Sequence, residues 1–117
     1  IDLYEFAPVA YITLNAGGTI NAINMTGALQ LGMDRAKLIN QRFSTFVSDT
    51  DKDRWYRLFI SLMKPGTQQD YPQKTRLTML RQDHSTFDAF LCCIVKETSD
   101  SPPLLRIALM DMPPNEQ

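Results

Sequence analysis

Residues able to do chemistry are few and scattered along the chain. His84 is the only histidine, and neither a nucleophile nor an orienting acid stands near it in a pattern that would pair nucleophile with base. It falls in a predicted hairpin turn, as a solvated residue. Cys92 and Cys93 are adjacent in a predicted strand, where neighbouring side chains point to opposite faces, so an ordinary disulfide between them is geometrically poor. Two thiolates are also too few ligands for zinc, and no metal site is expected. Cys93 reads as a small hydrophobe facing the core, and Cys92 belongs to the other face. Asp49, Asp51 and Asp53 stand at a predicted helix start, where carboxylates meet exposed amides and the positive end of the dipole. Capping accounts for them better than acid–base work. A small cavity enzyme would need a buried carboxylate beside Tyr11 or another donor, and the sequence offers none. The chain is therefore expected not to be an enzyme. One apolar set remains: Tyr11, Phe43, Phe46, Trp55, Phe59, Met79, Leu91 and Leu109 either line a ligand cavity between helices and sheet or fill that space as core.

The elements that must position these residues follow from periodicity and turn chemistry. Val9 to Asn15 and Thr19 to Ile23 read as a hairpin around Ala16-Gly17-Gly18. Asn24 can cap a helix that carries Met25, Ala28, Leu29 and Leu31 and ends at Gly32. A helical turn spans Asp34 to Leu38, and Asn40 falls where a left-handed residue would redirect the chain. Phe43, Phe46 and Val47 share one helical face. Ser48 and Asp51 have capping-box spacing ahead of the strongest helix, in which Trp55, Leu58, Phe59 and Leu62 recur at i, i+3, i+4 and i+7. Lys64-Pro65-Gly66 stops it. Lys74 to Gln82 and Thr86 to Lys96 then read as strands joined by Asp83-His84-Ser85, and Leu104 to Met112 as a third strand after a loop over 98–103.

Two strands, a helical insert and three strands exclude an alternating parallel α/β fold. An α+β class is expected, with an antiparallel sheet and the helices on one face. In the middle C-terminal strand Phe87, Ala89, Leu91, Cys93 and Val95 make one apolar row. The opposite row leaves Phe90, Cys92 and Ile94, with Leu80, to be covered by a terminal helix or another subunit.

At 117 residues the chain is one domain, and 44% hydrophobic with 21% charged residues is a globular composition. A formal charge of −1 provides no cationic field for nucleic acid, and no apolar run approaches a membrane span. The cysteine usage fits a reducing compartment, so a cytoplasmic location is expected. The start at Ile1 without Met or a signal-like stretch, and the stop after a proline pair, give the expectation of one domain cut from a longer protein.

Over nearly its whole length the chain resembles the PAS domains of bacterial sensor kinases and diguanylate cyclases. Phe6 to Ile20 is similar to the family's opening hairpin with its central D-a-d-G turn, and Asn24, Ala28, Leu31 and Gly32 match its N-x-a-a-x-x-l-l-G helix. Leu38 to Phe43 is similar to l-i-G-r-x-f, Asp51 to Trp55 to the start of the long helix, and Arg81 to Phe87 to r-k-D-G-s-x-f. Ile107 to Met112 looks like the closing strand with its D-I-T ending. Asn40 and His84 stand where the family has glycine, and Pro113-Pro114 follows where many relatives enter a signalling helix.

The resemblance implies a five-stranded sheet in the order 2-1-5-4-3, any ligand held between sheet and long helix, and Asp111 as the signal-output junction. It implies a lead-in over residues 1–8, a PAS core over 9–112 and a linker from 113. Haem is not expected, because haem-binding relatives carry the axial histidine on the long helix, which here has none. A covalent flavin is not expected either, because the region of Asn40 to Phe43 lacks the required cysteine. The expected function is a sensory or regulatory module of a multidomain signal-transduction protein, responding to a small ligand or to a change in dimer packing. The alternative is a ligand-free dimerisation or docking module using Leu80, Phe90 and Ile94. Expected partners are a second copy and a covalently linked effector domain, without nucleic acid or membrane contact.

Overall fold

The structure, a computed structural model, describes residues 3–66 and 71–112. Strands β1 (Ala10–Leu14) and β2 (Ile20–Ile23) form the N-terminal hairpin. Helices α1 (Met25–Leu31) and α2 (Arg35–Leu38), a 3-10 turn (Phe43–Phe46) and helix α3 (Lys52–Met63) follow. Strands β3 (Gln73–Leu80), β4 (Thr86–Thr98) and β5 (Ser101–Asp111) are the remaining elements among the described residues. All strand pairs are antiparallel, in the order β2-β1-β5-β4-β3 implied by the resemblance. The expected linker from Pro113 lies outside the described residues.

Alternation along the strands creates the two faces. Ala10, Ile12 and Leu14 of β1, Leu77 and Met79 of β3, Ala89, Leu91 and Cys93 of β4, and Leu105, Ile107 and Leu109 of β5 are all buried on one side. Trp55 and Leu62 of α3, with Phe43 and Phe46 of the 3-10 turn, seal that side. The Trp55 ring lies 4.8 Å from Phe43 and 5.9 Å from Phe59, centroid to centroid, both tilted. Among the described residues no helix covers the other side of the sheet.

Local signals account for the helix boundaries. Asn24 caps α1 through Gly27, and Gly32 ends it at φ 74. Asn40 takes φ 73 and His84 φ 71, the left-handed conformations that family glycines would adopt. The capping-box spacing at Ser48 and Asp51 does not form a box. Asp51 precedes α3 without capping it, because its carboxylate instead accepts from the Thr78 amide at 2.7 Å and pairs with Arg54 at 3.4 Å. A tertiary amide on β3 outcompetes the local cap.

The expected loop over 98–103 is also corrected. β4 and β5 run on to a tight turn at Ser99-Asp100, with Thr98 opposite Ser101. Pro102 and Pro103 are tolerated inside β5 because β1 pairs only with Leu105–Leu109 and, on the other edge, the register with β4 shifts between Lys96 and Thr98, so neither proline has a regular partner to donate to.

Gly27 lies within α1 for a packing reason. An added Cβ would stand 2.7 Å from Ile23 Cγ1 and 3.3 Å from Ala10 Cβ. Gly27→Ala is therefore expected to destabilise by about 1–2 kcal/mol in urea unfolding, overpacking outweighing about 1 kcal/mol of helix propensity. A gain in stability would show that Ile23 moves aside freely.

Candidate functional site

Asn24 organises the entry to the fold. It is fully buried, and its side-chain oxygen accepts from the amides of Tyr11 at 3.0 Å and Gly27 at 2.9 Å. Its amide nitrogen donates to the carbonyls of Tyr4 at 2.8 Å and Val9 at 3.0 Å. All four hydrogen-bonding positions are used, so one side chain ties the lead-in, β1 and α1 together. The Thr26 hydroxyl donates to Ala7, and Glu5 pairs with Arg35 while accepting from the Met25 amide at 3.2 Å. The lead-in is thereby strapped beside the sheet, and Tyr4 stacks on Tyr11 at 6.0 Å and 14°.

The eight residues proposed for an internal cavity divide. Phe43, Phe46, Trp55, Met79, Leu91 and Leu109 are buried between sheet and helices, with Phe59 partly buried against them. Tyr11 is not among them. Because Ala10 and Ile12 face inward, Tyr11 faces the open side and is 41% exposed. It lines a groove of about 640 Å³ on the outer face with Tyr4, Pro72, Cys92, Ile94 and Ala108.

The docking residues also separate. Phe90, Cys92 and Ile94 are half-buried in one outward row of β4, as the alternation predicts. Leu80 shares that face but lies beyond the Thr78–Asp88 pair, whose side chains are hydrogen-bonded at 3.1 Å, and so is not contiguous with Phe90.

His84 is exposed in the β3–β4 turn, its amide bonded to the Arg81 carbonyl at 2.9 Å. The hydroxyl and amide of Ser85 both donate to Asp83 and hold its carboxyl below the usual range. Cys93 is fully buried, and desolvation, followed by the neighbouring Cys92, pushes its thiol up to about 12. Among the described residues no group of three or more potential metal ligands occurs, and no helix is long and apolar enough to cross a membrane. Asp111 is exposed at the end of β5, opposite Ala89, and the next amide, of Met112, donates to Asp88 at 2.8 Å.

This sheet order, with short helices and one longer helix sealing a single face, defines the PAS fold. Solved structures sharing it include the PAS domain of a protein from Colwellia psychrerythraea, at TM-score 0.79 and 15% identity over 94% of this chain and 91% of that one. A domain of a sensory box sensor histidine kinase/response regulator from Geobacter sulfurreducens matches at TM-score 0.72 and 15% identity, over 91% and 86%. The PAS domain of a LuxR-family transcriptional regulator from Burkholderia thailandensis, in complex with ethanol, matches at 0.72 and 16%, over 94% of each chain. No protein-family model and no curated protein matches the sequence.

Proposed function

We propose that the chain is a sensory or regulatory domain of a larger, cytoplasmic signal-transduction protein, and that it is not itself a catalyst. The observation that carries this reading is the place of β5. The last strand in sequence is central in space, hydrogen-bonded to β1 on one side and β4 on the other, and it ends at Asp111. A rearrangement of either neighbour is thus delivered to the point where the chain leaves the sheet. Solved domains of the same fold from a sensor kinase and a transcriptional regulator support a regulatory role.

In this reading the input is a small ligand held under Trp55 or a change in subunit packing on the open face. Either drives the output only through different affinities for two arrangements of the sheet and its exit. Native mass spectrometry separates them, since a co-purifying small molecule supports the first and a ligand-free dimer the second.

Asp111 is the output junction in this proposal. Asp111→Ala in the full-length protein is expected to abolish the regulated change in effector output. The 117-residue chain carrying it should keep its melting temperature within about 3 °C, as an exposed substitution outside the core does. Normal regulation in the variant would remove Asp111 from the output path.

A further inference from the structure

Among the described residues the outer groove has a built shape and an unbalanced charge. In the row running from β1 to β5 to β4, Tyr11 stands opposite Ala108, and Ala108 opposite Cys92. Two small side chains side by side make a low floor. The stacked Tyr4 and Tyr11 rise on its β1 side, and Ile94 with Pro72 bounds the β4 side. In the next row Arg106 stands opposite Ile94, and Lys96, two residues further along β4, lies diagonal to Arg106. Both cations line the groove and are exposed, and neither has an ion-pair partner among the described residues. Diagonal neighbours on a sheet lie within reach of long side chains, so one anionic group can meet both cations. Beyond the groove, Lys74 and Arg76 of β3 point the same way, and Asp88 is the one carboxylate in the outward rows up to Ile94 of β4 and its β3 partners.

We propose that this groove binds a small amphipathic anion, its apolar part on Ala108 and Cys92 between the tyrosine stack and Ile94, its carboxylate-like head bridging Arg106 and Lys96. A volume of about 640 Å³ suits a small molecule. An anion pairs with both cations, whereas a second copy laid face to face would bring like-charged surfaces together. Binding here does not depend on the signalling role proposed above.

The test titrates the 117-residue chain with decanoate below its micellar concentration, following backbone amides by NMR. Decyltrimethylammonium serves as the charge-reversed probe of equal chain length. Saturable one-to-one binding is expected, with shifts centred on Tyr11, Cys92, Ile94 and Ala108. The cationic probe should bind at least about tenfold more weakly, and Lys96→Glu with Arg106→Glu should raise the decanoate Kd by about tenfold or more. Ala108→Phe, which fills the floor, should abolish binding, with Trp55 fluorescence confirming the fold from the opposite side of the sheet. Equal affinity for both probes, or shifts centred on Phe43 and Trp55, would overturn the proposal. So would a dimer covering the groove and excluding decanoate, or association with phosphatidylglycerol vesicles that decanoate does not displace.

Discussion

Asn24→Ala is expected to cost about 3–5 kcal/mol of stability, a large share of what a domain of this size possesses. The estimate follows from what is stranded. The Tyr11 and Gly27 amides lose an acceptor, and the Tyr4 and Val9 carbonyls lose a donor, all at a fully buried position. A helix cap alone is worth about 1 kcal/mol, so a graded series separates the two roles. Asn24→Ser preserves an acceptor for Gly27 but cannot reach back to Tyr4 and Val9 with two donors. If Asn24 were only a cap, serine would restore stability to within about 0.5 kcal/mol in urea unfolding followed by Trp55 fluorescence, and that result would refute the wider role. Because Asn24 holds the Tyr4 carbonyl, its loss should also loosen the Tyr4 wall of the outer groove, leaving the Glu5–Arg35 pair, the Thr26–Ala7 bond and the stack on Tyr11 to hold the lead-in.

The second large effect is alkaline. Cys93 lies buried between Gln73 of β3 and Ile107 of β5, and desolvation raises its thiol from 9.0 to about 12. The fold therefore favours the neutral thiol, while the unfolded chain ionises near the ordinary value. Stability from this group is fully present below about pH 9 and is lost as pH rises towards 12, by about 4 kcal/mol over the interval. Cys93→Ala should be less stable at pH 7 by about 1–2 kcal/mol, because it leaves a void. Under reducing conditions the gap should close or reverse by about pH 11. Parallel stability curves for the two proteins across pH 9–11 would show that Cys93 does not govern the alkaline limb.

Much of the fold was legible because local and tertiary preferences agree. Asn24 and Gly32 bound α1 as their chemistry requires, and Asn40 and His84 take the left-handed conformations at the positions where the family pattern has glycine. Trp55, Leu58, Phe59 and Leu62 mark one helical stripe, of which Trp55 and Leu62 are buried. Reading failed where a distant partner decides. Nothing near Asp51 in sequence announces that the Thr78 amide will claim its carboxylate, and the prolines at 102 and 103 signal a loop unless β1 is known to stop short. The misplacement of Tyr11 is different, since alternation between Ala10 and Ile12 already put it on the open face. The groove was hidden because its shape depends on a lead-in folded back by Asn24 and on register between three strands.

The length mismatch among the strands has one more consequence. Past the Val95–Leu105 row the last two strands run on as a two-stranded finger that neither β1 nor β3 flanks, which would ordinarily invite a foreign chain to zip alongside. On the β5 edge the paired prolines break the row of donors such an intruder would need, since one of the two imino nitrogens faces that edge.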